Sequence, residues 1–207
     1  MFVATRDNPL ATTITGSLPR PSWYEENLRG RDFLSAYNGD ARYREQYSDA
    51  VAALLSDQTR AGLDILSDGE MRFDMDIGGR SWFGYIFDRL EGLAPSEAAR
   101  HRAPGSTRSH FAARAAQAGD IINEFVTTMR PPRVIGAIGA GTLQYDAVFN
   151  VARRLTDKPL KQGSCSAQMI ERQVAPGHYR DRRERLMAFS RALNEELNRL
   201  ADAGCPV

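Results

Sequence analysis

An acidic cluster follows a short apolar segment of this sequence. The segment from Leu63 to Leu66 is typical of a buried strand, and the stretch SDGE comes directly after it and ends on Glu70. Because Gly69 permits a tight turn, the carboxylate of Glu70 would project from the end of the strand. Two interpretations stay open at this point. Glu70 either pairs with Arg72 or caps the next turn, or it holds an ammonium group of a substrate.

The segment Thr15-Gly16-Ser17 offers complementary chemistry. It ends the β-branched stretch that begins at Ala11, and it is either a simple turn or a binding loop. As a binding loop it would donate backbone N–H groups to a substrate carboxylate, because glycine lets a ligand approach the backbone closely. Together with Glu70 it would then bind the two charged groups of an amino acid.

Two further polar segments follow predicted strands. They are GAIGAGT, from Gly136 to Thr142, and GSCS, from Gly163 to Ser166, which makes Ser164 a further candidate for substrate contact. GAIGAGT lacks the GxGxxG order of a dinucleotide site. Cys165 is more typical of a small buried side chain than of a nucleophile. No histidine stands at metal-ligand spacing from a cysteine.

Alternating strands and helices must position these groups. The sequence predicts strands at 11–15, 63–66, 134–138 and 159–163 and the start of a fifth at 205–207. It predicts helices at 23–28, 40–61, 145–155 and 179–203, an ambiguous aromatic segment at 82–93 and a mobile excursion at 94–110. Such alternation favours a mostly parallel sheet, as in a (β/α)8 barrel or an open doubly wound sheet. In both folds the C-terminal ends of the strands face the ligand.

Composition narrows the function class. The chain has 207 residues, 42% of them hydrophobic and 26% charged, with a net charge of +1. These values are typical of a globular protein and do not favour binding to nucleic acid or to a membrane surface. The sequence shows no apolar run of signal-peptide or membrane-span length, so we expect a cytoplasmic protein.

Two motifs, taken in order, resemble the catalytic domain of cobalamin-independent methionine synthase. They are TTITGSLPRP, from Thr12 to Pro21, and QTRAGLDILSDGEMRFDM, from Gln58 to Met75. The resemblance implies a (β/α)8 TIM barrel, of which residues 1–207 would form about the first half as a single incomplete domain. It also implies methyl transfer from a 5-methyltetrahydrofolate-type donor to the thiol of homocysteine, which gives methionine.

The resemblance assigns roles residue by residue. Thr15, Gly16 and Ser17 match the family segment that binds homocysteine through its backbone, and Glu70 matches the glutamate that holds the homocysteine amine. Asp74 lies in a stretch similar to a family R-x-D-M run and is a further candidate. The family's zinc ligands belong to the second half of the barrel. The resemblance therefore implies zinc ligands beyond the last residue and no metal site or complete catalytic set in this chain.

The resemblance leaves other functions open and implies that the chain has partners. Other functions are alkyl transfer to another thiol, a metal-free decarboxylation on a related barrel, or a non-catalytic half-barrel. The segment GSCSAQ departs from the family's Gly-Pro segment, so the methyl donor stays unassigned. We expect the 207-residue chain by itself to be inactive. We also expect it to associate with a complementary C-terminal half or with a second copy, because an open sheet edge promotes association.

Overall fold

A computed structural model describes residues 8–28, 30–73, 81–94 and 132–206. The helices are Phe33–Gly39 (α1), Ala41–Arg60 (α2), Ser81–Phe87 (α3), Tyr145–Arg153 (α4), Ala167–Arg172 (α5) and Arg182–Asp202 (α6). The strands are Leu66–Ser67 (β1), Glu91–Leu93 (β2), Val134–Gly139 (β3) and Leu160–Lys161 (β4). Asp74 and, apart from Ala94, the predicted excursion at 94–110 lie outside the described residues. None of the helices within these ranges is both long and apolar enough to cross a membrane.

The chain divides into two compact units. The first comprises Met1–Arg72, Gln144–Ser164 and Asn194–Val207, and the second comprises Phe73–Leu143 and Cys165–Leu193. The predicted site residues that the structure describes all fall within the first unit.

Parallel pairing organises the first unit. Strand β1 pairs with β4, with Leu66 opposite Leu160 and Ser67 opposite Lys161. On the other side of β1, the segment predicted as a strand at 11–15 forms only an isolated parallel bridge, from Thr13 to Ile65. The carboxylate of Asp64 secures this bridge, because its Oδ2 accepts the backbone N–H of Thr12 at 2.7 Å. The strand prediction at 11–15 was therefore too long.

Helix α2 packs an aromatic and aliphatic face into the first unit. Asp40 caps its N-terminus by accepting the N–H of Tyr43 at 3.1 Å, and Gly62, with φ of 81°, follows its C-terminal end. Residues spaced at the helical period are buried, which confirms the predicted helix. They are Tyr43, Tyr47, Val51 and Leu55.

The second unit corrects the predicted sheet. Strand β3 pairs antiparallel with β2, so the prediction that residues 134–138 join the parallel sheet was wrong. The ambiguous segment at 82–93 contains both helix α3 and strand β2. Gly92 permits the pairing, because a Cβ atom at that position would lie 2.3 Å from the carbonyl oxygen of Ala137. The hydrophobic pattern identified β3 as a strand but carried no information about its partner.

Other predicted elements also differ from the structure. Residues 23–28 are not helical, and Cys205 and Pro206 are not part of a strand. The last helix begins at Arg182 instead of Tyr179, since Asp181 accepts the N–H of Glu184 at 2.8 Å and so caps the helix at that point.

Candidate functional site

The structure brings Glu70 and Ser17 into contact at the end of β1. The Ser17 hydroxyl donates to Oε2 of Glu70 at 2.5 Å, and the N–H of Leu18 donates to the carbonyl oxygen of Gly69 at 3.0 Å. These two hydrogen bonds tie the loop after the Thr13 bridge to the loop after β1. Two segments more than fifty residues apart in the sequence thereby form one surface.

An unusual backbone conformation presents the Glu70 side chain. Gly69 and Glu70 both have positive φ, at 65° and 58°. Left-handed conformations disfavour residues with a Cβ atom, so a non-glycine residue there needs support from its surroundings. Asp68 supplies part of that support, because its Oδ1 accepts the N–H of Glu70 at 3.0 Å.

A buried ion pair holds Asp68 itself. Nη1 of Arg72 lies 2.8 Å from Oδ2 of Asp68, and the two side chains are 1% and 3% exposed. Nη2 of Arg72 also donates to the carbonyl oxygen of Gly163 at 3.2 Å, which links the loop after β1 to the segment after β4. Arg72 thus pairs with Asp68, whereas Ser17 donates to the carboxylate of Glu70.

Sequence reasoning missed the supporting role of Asp68 and Arg72. The available signal was an acid four residues before an arginine, beside a glycine at the end of a predicted buried strand. That spacing is common on exposed helices as well, and nothing in the neighbouring residues indicates that both side chains are buried here.

The segment after β4 completes the described surface. A Cβ atom at Gly163 would lie 3.1 Å from Oε1 of Glu70, so the backbone passes close to that carboxylate. The hydroxyl of Ser164 lies 3.2 Å from that of Tyr145. Lys161 is half-buried, and desolvation lowers the pKa of its ammonium group, while the charge of Glu70 opposes part of that change.

The Thr15-Gly16-Ser17 segment is exposed, and the space around Gly16 is open. Gly16 has φ of 91°, a conformation that favours glycine, and a Cβ atom built on it would meet no heavy atom within 4 Å. Thr15, Gly16 and Ser17 are all exposed. Their role in substrate binding, like that of Glu70, Asp74 and Ser164, stays a prediction.

The described residues do not fit a zinc site. Within them no group of three or more His, Cys, Asp or Glu side chains is arranged to hold a metal ion. What this surface can do is bind charges: Glu70 offers a carboxylate whose Oε2 is already oriented by Ser17. Carboxylates of this kind form strong, charge-assisted hydrogen bonds to ammonium groups.

Comparison with known protein sequences supports the family resemblance. Residues 10–109 match the family model described as "Cobalamin-independent synthase, Catalytic domain". The 2-hydroxypropyl-CoM lyase of Xanthobacter autotrophicus is 27% identical over 212 residues, which cover 99% of this chain and 48% of that protein. A methionine synthase of Saccharolobus islandicus is 43% identical over 65 residues, which cover 31% of this chain and 19% of that protein.

Solved structures agree on the fold. A B12-independent methionine synthase from Shewanella sp. W3-18-1 superposes with a TM-score of 0.60 at 22% identity, over 94% of this chain and 49% of that one. A putative vitamin-B12 independent methionine synthase from Listeria monocytogenes gives 0.55 at 16% identity, over 92% and 48%. At these identities the likeness concerns the fold. The chain spans about half the length of the lyase and of both solved structures.

Proposed function

Residues 10–109 belong to the cobalamin-independent synthase family, and on that premise we propose that this chain provides the amino-acid-binding part of an enzyme that transfers an alkyl group to a thiol. The leading reaction is methylation of homocysteine to methionine. The observation that carries the proposal is the hydrogen bond between Ser17 and Glu70. It joins the two family motifs into one surface at the ends of neighbouring parallel segments.

The chemistry proposed for this surface is recognition and orientation. Glu70 holds the ammonium group of homocysteine, and the backbone N–H groups from Thr15 to Ser17 hold its carboxylate. Fixing both groups orients the thiol, and such positioning lowers the entropic barrier to reaction with a second substrate. The resemblance attributes thiol activation to zinc. Because the described residues do not fit a zinc site, the proposal places the zinc ligands outside them.

The architecture proposed is the first half of a (β/α)8 barrel. The described parallel order of the Thr13 bridge, β1 and β4 is consistent with part of such a barrel. Because the chain matches about half of the solved relatives, we propose that residues outside it complete the barrel, from a complementary C-terminal half or a second copy. A cytoplasmic location remains part of the proposal.

A second candidate is alkyl transfer involving a different thiol. It is favoured by the relative that aligns with 99% of this chain, which is named for CoM and not for homocysteine. CoM, 2-mercaptoethanesulfonate, carries an anionic group but no amine. A site built around Glu70 would therefore contribute less to its binding than to that of homocysteine.

Calorimetric titration of the full-length protein tests the leading function. We expect Glu70→Gln to weaken homocysteine binding by about 1.5–3 kcal/mol, the usual contribution of a hydrogen bond to a charged group. Glu25→Gln is the matched control, because Glu25 is a surface glutamate of the same unit whose side chain is 70% exposed. Unchanged homocysteine affinity in Glu70→Gln would refute the role of Glu70. Binding of CoM without binding of homocysteine would favour the second candidate.

A further inference from the structure

Lys161 lies close to the carboxylate that we assign to the substrate amine. In the β1–β4 pair, Lys161 is opposite Ser67, three residues before Glu70. Gly163, two residues after Lys161, faces the same carboxylate. A Cβ atom added to Gly163 would lie 3.1 Å from Oε1 of Glu70. Lys161 is the last residue of β4, and a spacing of two residues is the one at which side chains of an extended segment share a side, which favours a Lys161 side chain on the side of Glu70. The electrostatic interaction between the two groups agrees with this placement.

Two cations of the described residues lie near the site, and they differ in whether their charge is paired. Arg72 is buried, and its charge is matched by Asp68 at 2.8 Å. The ammonium group of Lys161 forms no hydrogen bond or ion pair with any described residue, although the side chain is half-buried. A partly desolvated ammonium group gains more from an incoming anion than a fully hydrated one, because the interaction is screened less. Of these two cations, Lys161 is therefore the one whose ammonium group is available to bind the anionic group of a ligand.

We propose that Lys161 binds the anionic group of the thiol substrate and that Lys161 and Glu70 together select a thiol carrying both an acid and an amine. The proposal rests on the proposed function for the identity of the ligand as a thiol. It adds a charged contact to the backbone N–H donors of the Thr15–Ser17 segment. Each residue also disfavours one wrong ligand, because Lys161 repels a thiol with only an amine and Glu70 repels a thiol with only an acid.

Three thiols separate the two contacts in titrations of the full-length protein. Homocysteine carries both charges, 4-mercaptobutyrate lacks the amine, and homocysteine methyl ester lacks the acid. We expect Lys161→Met to weaken binding of homocysteine and of 4-mercaptobutyrate by about ten- to a hundredfold, from the usual strength of a charged hydrogen bond. Binding of the methyl ester should stay unchanged or become tighter, because Lys161→Met removes a repelling charge.

Lys158→Met is the matched control. Lys158 precedes β4, and its Nζ donates to the carbonyl oxygen of Leu63 at 2.7 Å, before β1 begins and therefore at the opposite end of the strand pair. The control variant loses the same charge from the same segment and should leave the affinities for all three thiols unchanged.

The outcomes distinguish this inference from the proposed function. Equal weakening of all three thiols by Lys161→Met would overturn the inference, because it would show an effect through folding or through Glu70. If Glu70→Gln left every affinity unchanged while Lys161→Met still discriminated against the acids, the amine role would fail and the anion contact would stand. If homocysteine does not bind the wild type, CoM serves as the anionic probe. Weaker CoM binding in Lys161→Met would support the contact, and unchanged or absent CoM binding would overturn it.

Discussion

Replacement of Arg72 by Met should destabilise the protein severely. Arg72→Met keeps a long apolar side chain but leaves Asp68 without its ion-pair partner at 2.8 Å, in a position where its side chain is 3% exposed. It also removes the hydrogen bond to the carbonyl oxygen of Gly163. Breaking one partner of a buried pair typically costs about 3–5 kcal/mol, because the remaining charge stays desolvated. We expect a loss of that size in the free energy of unfolding, measured by urea titration of the full-length protein.

Two further variants test the reasoning behind that magnitude. The double variant Asp68→Asn with Arg72→Met should recover part of the loss, because no buried charge remains unmatched. In contrast, Arg60→Met breaks a pair with Asp57 at 4.0 Å whose side chains are 80% and 72% exposed. Such surface pairs contribute about 0–1 kcal/mol, so this control should unfold nearly as the wild type does. A loss below about 1 kcal/mol in Arg72→Met would refute the account, since a buried pair should contribute far more.

Three more changes have defined outcomes. Burial raises the pKa of Glu171, but hydrogen bonds from Arg182 and Arg185 of α6 lower it by more, so the pKa lies below its ordinary value of 4.5. The stabilisation that ionised Glu171 contributes to the fold is therefore present above pH 4.5 and is lost as the pH falls through the lowered pKa. In Glu171→Gln the urea midpoint should depend less on pH across that range, and a pH dependence equal to that of the wild type would argue against this role. Gly69→Ala should lower the free energy of unfolding by roughly 1–2 kcal/mol, because alanine disfavours the positive φ of this position. The added Cβ atom would also lie 2.6 Å from Cδ1 of Leu54. Stability equal to that of the wild type would contradict this. Gly163→Ala should weaken homocysteine binding by displacing the carboxylate of Glu70, and full affinity on calorimetry would show that the side chain adjusts.

Local features of the fold were predictable from the sequence. The 3.6-residue period from Tyr43 to Leu55 and the stop at Gly62 predicted α2, because both signals lie within the helix itself. The glycine after β1 likewise indicated that Glu70 would leave the strand in a turn. These predictions needed no knowledge of distant parts of the chain.

Long-range features were not predictable from the same signals. Strand β3 contains the β-branched residues typical of a strand, yet its antiparallel pairing with β2 depends on a close approach between distant residues, which Gly92 permits. The ion pair between Asp68 and Arg72 depends on burial by other elements, which neighbouring residues in the sequence do not specify. The expectation that the ends of parallel strands meet at one edge predicted that the segments of Ser17 and Glu70 would lie together, but not the hydrogen bond between them.

A crystal structure of the full-length protein with homocysteine would test the central claim most directly. We expect the amine nitrogen to lie about 2.7–3.2 Å from a carboxylate oxygen of Glu70, the range of a hydrogen bond. We also expect Ser17 to keep its contact with the other oxygen. A bound homocysteine whose amine contacts other groups, with Glu70 turned away from it, would contradict the proposal.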